Sequence, residues 1–279
     1  MDKPIFVEHQ GCQLASWVRG VGEPVLLIQG VGVHGGGWQP QVDGLSDRFQ
    51  CLTFDNRGIG QSQPIGVRLS IEQMADDARA LMDVHGWQSA HVVGHSMGGL
   101  IALCLALNAR NRVRSLALFC TFANGRNAAP LTPRMLCLGM GTHIGTRRMR
   151  RRAFMRLVMP RQALAGIDRD ALAEQLATLF GHDLADQPPI VSQQLKAMRA
   201  YDVSSRLAEL AGMPTLVVSA THDPIAPPRL GRDLAHGIPG AQFVEWADAS
   251  HGAPIQCAER TNQILAEHFG KSEKSAITN

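Results

Sequence analysis

Residues Gly94-His95-Ser96-Met97-Gly98 read G-x-S-x-G, and this pattern lies between an apolar strand-like run at 89–93 and an apolar helix-like run at 99–107. A chain that passes at once from strand to helix holds the middle residue in a strained conformation, and the glycines keep the tight turn free of side-chain clashes. The serine hydroxyl is then exposed above the sheet, near a helix N-terminus that favours negative charge. A lone G-x-S-x-G also occurs in ordinary glycine turns, but the flanking segments favour a nucleophilic serine.

This stretch resembles the nucleophile elbow of the α/β-hydrolases, and the chain is identified as a member of that superfamily. The resemblance covers roughly residues 5–270 and is closest to the capped esterases and lactonases, including the enol-lactonase-like branch. The segment 202–207 leading into 213–218 is typical of that group. A serine at the elbow argues against the dehalogenases and epoxide hydrolases of the same fold, which use aspartate there.

The resemblance implies a triad in the order serine, acid, histidine, each on a loop that follows a strand. A serine hydroxyl needs a base, usually histidine, and a carboxylate that fixes the imidazole ring. His251 follows the last predicted strand, and Asp223 follows the strand before it. They lie 28 positions apart in the sequence, which leaves room for one helix and one strand. Ser96, Asp223 and His251 are therefore the predicted catalytic residues.

Other titratable residues fit these roles less well. His222 precedes the acid in the chain, and Asp248 is too near His251 in sequence to reach the imidazole. His95 lies inside the elbow, where we expect a packing residue that points away from the serine. The D-x-R-G segment at Asp55 and Arg57 usually braces strand ends in this family, so both are interpreted as structural.

Two backbone N–H groups are expected to form the oxyanion hole. One is that of Met97, the residue after the nucleophile. The second should come from the loop after the third strand, where 29–32 and the string His34-Gly35-Gly36-Gly37 compete. The latter starts five residues too late for the HGGG esterases, so Val31 is preferred. Gln29 stands where the family more often has histidine, and His34 either lines the pocket or lies exposed.

Short apolar strands alternate with helical segments along most of the chain, including a helix from about Ser70 to His85 with Ser70 as its N-cap. This pattern predicts an α/β fold, with a mostly parallel doubly wound sheet of about eight strands. The alternation stops across 121–199, which has helical patterns and no strand candidate. The family carries its helical cap after the sixth strand, so 1–120 and 200–270 are assigned to the core, 121–199 to a lid and 271–279 to a disordered tail.

The sequence argues against a membrane-spanning, a secreted or a nucleic-acid-binding protein. The 279 residues are 45% hydrophobic, with no apolar run long enough to span a bilayer and no secretory signal at the N-terminus. Six scattered cysteines without metal-ligand spacing indicate free thiols in a reducing cytoplasm. A net charge of +3 is too small to indicate a nucleic-acid partner. A homodimer is compatible with the sequence.

Charge is unevenly distributed, because the segment 125–162 contains nine arginines and no acidic residue. The simpler interpretation is a solvated helix face. The alternative is that this face draws anionic substrates towards the entrance of the site. The nine are Arg126, Arg134, Arg147, Arg148, Arg150, Arg151, Arg152, Arg156 and Arg161.

The sequence therefore predicts a serine hydrolase that cleaves carboxylic esters or lactones of small to medium size through an acyl-enzyme. No metal and no cofactor are implied. Acyl transfer or cleavage of a carbon–carbon bond beside a ketone would use the same residues, because function resides in the pocket and not in the fold. A hydrolase-fold ligand receptor or signalling protein with little turnover is the alternative from another class.

Overall fold

An eight-stranded sheet forms the centre of the chain, which a computed structural model describes over residues 3–130 and 132–277, with residues 134 and 273–277 as backbone alone. The strands lie in the order β1-β2-β4-β3-β5-β6-β7-β8. The β1–β2 and β2–β4 pairs are antiparallel and all other pairs are parallel. The strands are β1 (Ile5–His9), β2 (Cys12–Arg19), β3 (Glu23–Ile28), β4 (Phe49–Phe54), β5 (Ala90–His95), β6 (Val113–Phe119), β7 (Thr215–Ala220) and β8 (Gln242–Trp246).

Helices cover both faces of this sheet, as the alternation of strands and helices predicted. On one face α2, α3 and α8 enclose the larger buried cluster, and on the other α1 and α10 enclose the second. Successive residues of β3 show the division, because Leu26 and Ile28 belong to the first cluster and Val25 and Leu27 to the second. These helices are α1 (Gln39–Leu45), α2 (Ile71–Val84), α3 (Met97–Asn108), α8 (Pro228–Gly237), α9 (Ala253–Gln256) and α10 (Ala258–Ile277).

Two local expectations about polar residues are confirmed. The Ser70 side chain accepts a hydrogen bond from the Gln73 backbone N–H and caps α2. The Asp55 carboxylate accepts the backbone N–H groups of Gly35 and Gln61. Arg57 is fully buried and pairs with Asp77 through two hydrogen bonds of 2.9 and 2.6 Å. Asp55 and Arg57 therefore brace loops beyond the strand ends, as structural residues.

The segment 121–199 follows β6 and forms no strand within its described residues. It contains α4 (Pro133–Gly141), α5 (Arg147–Val158), α6 (Arg169–Phe180) and all but the last residue of α7 (Val191–Ala200). Its helices enclose a third, smaller cluster that includes Met155, Leu176 and Phe180. We call 121–199 the helical segment. The third cluster also includes Val33 of the core, and Ala197 and Met198 of α7 belong to the larger cluster, so the division into a core and an inserted unit remains a prediction.

The C-terminal end differs from the predicted tail at 271–279. Helix α10 continues to Ile277, where a disordered tail was expected from residue 271, while residues 278 and 279 lie outside the described residues. Lys271-Ser272-Glu273-Lys274 is polar but contains good helix formers, so its polarity gives no reason for the helix to end.

Within the described residues, no helix has the length and apolarity needed to cross a membrane.

Candidate active site

Ser96 occupies the tight turn between β5 and α3 with a strained backbone, at φ 55° and ψ −120°. Both flanking glycines lie against backbone. A Cβ on Gly94 would stand 2.4 Å from the Gly98 carbonyl oxygen, and one on Gly98 would stand 2.2 Å from that of Ile28. The two glycines of the motif are therefore required by close packing, which is why the serine can sit at such a sharp bend.

The strained residue is held by hydrogen bonds on both of its backbone groups. The Ser96 N–H donates to the Phe119 carbonyl at 3.0 Å. Its own carbonyl accepts the Thr121 hydroxyl at 2.7 Å and the Gly99 N–H at 2.9 Å. The end of β6 thus fixes the turn from the neighbouring strand, as a sparsely populated conformation requires.

The three residues predicted as a triad lie together in hydrogen-bonding order. The Ser96 Oγ is 3.0 Å from His251 Nε2, and His251 Nδ1 is 2.7 Å from Asp223 Oδ2. All three are buried, with 3 to 6% of their surface exposed. When His251 Nδ1–H donates to the carboxylate, Nε2 is left free to accept the serine proton. The arrangement can therefore activate Ser96 as a nucleophile.

Asp223 is positioned by the loop that follows β7. Its Oδ1 accepts the backbone N–H groups of Ile225 at 2.7 Å and Ala226 at 2.8 Å, which leaves Oδ2 for His251. The rival carboxylate, Asp248, pairs instead with Arg260 at 2.8 Å. The geometry thus brings Asp223, and not Asp248, to the imidazole.

His95 contacts the triad residue His251, and the sequence did not reveal this contact. Its ring centroid lies 4.9 Å from that of His251, and its Nε2–H donates to the His251 carbonyl at 2.8 Å. Burial lowers the pKa of His95 to about 3, with the nearby His251 acting in the same direction. His95 is therefore neutral near pH 7 and supports the backbone of His251. The sequence predicted packing alone, because the His251 carbonyl comes from a distant loop.

The two predicted oxyanion donors flank the serine. A Cβ on Gly30 would stand 3.1 Å from the Ser96 Cβ, which places the backbone before Val31 against the nucleophile. In the part of the chain that the structure describes, the Val31 and Met97 N–H groups have no hydrogen-bond acceptor. Both donors are thus available to a developing oxyanion, the requirement for this role.

The loop that carries Val31 is fixed on its core side by polar contacts. The Asn56 side-chain amide donates to the Gln29 carbonyl at 2.9 Å, and the Gln29 Oε1 accepts the Gly30 N–H at 3.2 Å. Gln29 therefore braces the loop in the place where histidine is commoner. His34 is half-buried between Gly60 and Gly181 and does not line the cavity.

A cluster of possible metal-binding side chains lies beside the triad, formed by His95, Cys120 and His251 within 4.8 Å of one another. These donors do not fit a metal ion. Both His251 nitrogens and the His95 Nε2 are engaged, as described above. Burial, followed by the nearby Asp223, raises the pKa of the Cys120 thiol well above its usual value, so the thiolate that binds metals is disfavoured.

A cavity of about 560 Å³ opens beside Ser96 and His251. Apolar side chains from the helical segment form much of its wall, among them Met135, Phe154, Leu157, Phe180, Leu195 and Met198. No acidic side chain of the described residues lines it, and the one arginine that does, Arg199, is exposed. The cavity therefore suits an uncharged, apolar group next to the nucleophile.

Several arginines of the helical segment pair with acidic residues from its second half. Arg147 and Arg151 contact Asp183, and Arg148 lies 2.7 Å from Asp170. The side chain of Arg134 lies outside the described residues. Part of the positive charge seen in the sequence is therefore compensated by three neighbouring carboxylates, Asp170, Asp183 and Asp186.

Four of the six cysteines are buried, namely Cys12, Cys51, Cys104 and Cys120. Cys137 is exposed and Cys257 is half-buried, whereas the four buried thiols lie within or next to the sheet and α3.

The chain is similar to known hydrolases over most of its length. A family model described as alpha/beta hydrolase fold matches residues 23–256. A relative from Azorhizobium caulinodans, named "Putative carbamate hydrolase RutD", is 32% identical over 262 residues, which cover 92% of this chain and 95% of the relative. A relative of the same name from Caulobacter segnis is 29% identical and covers 91% and 93%.

Two solved structures share the architecture over nearly the whole chain. The enol-lactonase from Burkholderia xenovorans superposes with a TM-score of 0.80 at 25% identity, over 95% of this chain and all of that one. A thermophilic esterase from Thermogutta terrifontis gives a TM-score of 0.78 at 27% identity, over 97% and 99%.

Proposed function

Because this chain belongs to the α/β-hydrolase family and is a hydrolase, we propose that it cleaves carboxylic esters or lactones with Ser96 as the nucleophile. The observation that carries the proposal is the hydrogen-bonded line from Ser96 through His251 to Asp223 beside an apolar cavity. The enol-lactonase and esterase among the structural relatives support the same class of reaction.

In the proposed mechanism Ser96 Oγ attacks the substrate carbonyl while His251 Nε2 takes its proton. The negative oxygen of the tetrahedral intermediate accepts hydrogen bonds from the Val31 and Met97 N–H groups. His251 then protonates the leaving alcohol and later activates the water that hydrolyses the acyl-enzyme. Asp223 holds the imidazole in place throughout.

We propose that the helical segment acts as a lid whose apolar wall holds the acyl chain. A cavity of about 560 Å³ accommodates a substrate on the order of ten to twenty non-hydrogen atoms. Each further methylene buried there adds about 0.8 kcal/mol of binding, or roughly fourfold in kcat/KM. Activity is therefore expected to rise from acetyl to medium-length acyl esters and to fall once the cavity is full.

A carbamate is the second candidate substrate, because relatives at about 30% identity carry the name of a carbamate hydrolase. The same nucleophile and oxyanion donors would attack its carbonyl. The apolar wall favours the ester unless the carbamate carries an apolar substituent of similar size. Comparing p-nitrophenyl esters with N-alkyl carbamates of equal chain length separates the two substrates.

Turnover of this panel by the unmodified protein and by Ser96→Ala tests the proposal. We expect multiple turnovers of the esters and a loss of more than about a hundredfold in kcat/KM in the variant. A smaller loss would mean that Ser96 is not the nucleophile. Binding without repeated turnover at every chain length would favour the receptor interpretation.

A further inference from the structure

The helical segment forms hydrogen bonds to the loops that carry the proposed oxyanion donor Val31, the base and the acid, and its first residue, Thr121, donates to the Ser96 carbonyl. We propose that it is a positioning element of the catalytic machinery, in which Gln194 and His182 fix the oxyanion loop, in addition to serving as a wall of the cavity. This inference rests on the proposed function. It assigns a role to side chains of the segment that do not touch the substrate.

Two side chains of the segment contact Gly32, the residue directly after the proposed oxyanion donor Val31. Its N–H donates to the Gln194 Oε1 at 2.8 Å, and its carbonyl lies 3.1 Å from the His182 Nε2. Because a carbonyl can only accept, the contact to Gly32 requires Nε2–H as the donor. The other ring nitrogen, Nδ1, lies 2.9 Å from the Asp183 carbonyl. Both peptide planes that meet at Gly32 are therefore fixed by side chains of the helical segment.

The conformation of Gly32 explains why the loop needs this support. Its φ is +75°, and a Cβ there would stand 3.1 Å from the Val191 side chain of α7. Glycine adopts many other conformations at little cost, so the sequence alone leaves this bend loosely defined. The side-chain bonds from Gln194 and His182 select one conformation and thereby aim the neighbouring Val31 N–H at the serine.

The burial of Gln194 indicates that its side chain serves one specific contact, the hydrogen bond to the Gly32 N–H. It is fully buried in α7, and its Nε2 has no hydrogen-bond partner among the described residues. An unpaired buried donor disfavours the folded state, and an apolar side chain of the same size would avoid that cost. The Oε1 bond to the Gly32 N–H is the contact that an apolar residue would lose.

The other two catalytic loops are tied to the same segment through backbone bonds. The Gly252 N–H, directly after His251, donates to the Val158 carbonyl at 2.7 Å. The Ala129 N–H donates to the carbonyl of Ile225, two residues after Asp223, also at 2.7 Å. The segment thus contacts the base loop, the acid loop and the oxyanion loop together.

Matched substitutions at His182 and Gln194 test the inference. His182→Leu removes the donor, while His182→Gln places an amide N–H where Nε2–H stood. Gln194→Met removes the acceptor with little change in size. Arg148→Gln serves as a control because it breaks an exposed ion pair within the segment without touching a catalytic loop. Folding of each variant is checked by thermal unfolding before kinetics.

We expect kcat for the preferred ester to fall roughly tenfold to a hundredfold in His182→Leu and in Gln194→Met, because a displaced oxyanion donor loses part of the 10²- to 10³-fold effect of removing one. KM should change much less. The pH midpoint of kcat/KM should stay constant, because the His251–Asp223 pair is unaltered. His182→Gln should recover most of the activity.

The rate of Ser96 labelling by a fluorophosphonate gives a second readout that does not require ester turnover. The phosphonyl oxygen occupies the oxyanion hole, so labelling should slow in the same two variants. Folded His182→Leu and Gln194→Met proteins with unchanged kcat and labelling rates would overturn the inference while leaving the proposed function intact. Absence of ester turnover in the unmodified protein would instead contradict the proposed function, and labelling would still decide the role of the segment.

Discussion

Replacing Ser96 by glycine should remove activity and at the same time stabilise the fold relative to replacement by alanine. Both substitutions delete the hydroxyl and its hydrogen bond to His251, so that loss cancels in the comparison. They differ in the backbone, because Ser96 has a φ of 55° and a ψ of −120°. Alanine keeps a Cβ in that conformation, whereas glycine does not.

The size of the difference follows from two opposing effects. A side-chain-bearing residue in a sparsely populated region costs about 1–3 kcal/mol, which glycine relieves. Glycine also gains freedom in the unfolded chain, which costs roughly 0.5–1 kcal/mol relative to alanine. The free energy of unfolding should therefore be larger for Ser96→Gly than for Ser96→Ala, by up to about 2.5 kcal/mol.

Urea unfolding of the two variants at pH 7, followed by fluorescence, measures this difference. Ala171→Gly provides the control, since this exposed residue lies within α6 and glycine there should lower stability by about 1 kcal/mol. If Ser96→Gly were less stable than Ser96→Ala by a similar amount, the turn would store no strain and the reasoning would be refuted. Retention of ester hydrolysis by either variant would argue against Ser96 as the nucleophile.

Three further predictions concern the acid, the core and pH. Asp223→Asn should lower kcat roughly 10³- to 10⁴-fold, because the amide no longer holds the correct tautomer of His251; near-normal steady-state kinetics would exclude Asp223 as the acid. Asp77→Ala leaves the fully buried Arg57 without its carboxylate and should cost about 3–5 kcal/mol in urea unfolding, whereas Asp43→Ala, in an exposed pair with Arg19, should cost roughly 0.5 kcal/mol. Burial lowers the pKa of His268 to about 4, so between pH 6.5 and 4 the unfolded chain binds the extra proton and stability falls as pH falls. His268→Gln should flatten that decline by up to about 1.4 kcal/mol per pH unit, and an unchanged slope would show that His268 is not responsible.

The proposed triad residues could be predicted from the sequence because their positions depend on local order in the chain. The elbow required glycines at fixed offsets from Ser96, and close packing of Gly94 and Gly98 gives the reason. Asp223 and His251 each follow a strand, and parallel strands bring their carboxyl ends to one edge of the sheet. Local sequence features therefore predict Ser96, Asp223 and His251 as the triad without knowledge of tertiary contacts.

The contacts of Gln194 and His182 could not be predicted from the sequence, although the pattern of α7 contains one indication of a buried polar residue. The buried residues of α7 include Gln194, Ala197 and Met198, so Gln194 is a polar residue in an otherwise apolar stripe. That pattern indicates a buried polar contact without naming its partner. Gly32 lies 162 residues away in the chain, and no spacing rule connects the two.

The sequence by itself determined the order of strands and helices, the position of the strained serine and the chemical type of the groups expected beside it. It did so because periodicity, glycine placement and loop position are local properties that act wherever the chain folds. Tertiary structure alone decided which distant groups meet: His95 with the His251 carbonyl, Gln194 and His182 with Gly32, and three arginines of α5 (Arg147, Arg148 and Arg151) with Asp183 and Asp170. Hydrogen bonds and ion pairs operate over a few ångströms, so their partners are fixed only when packing brings remote segments together.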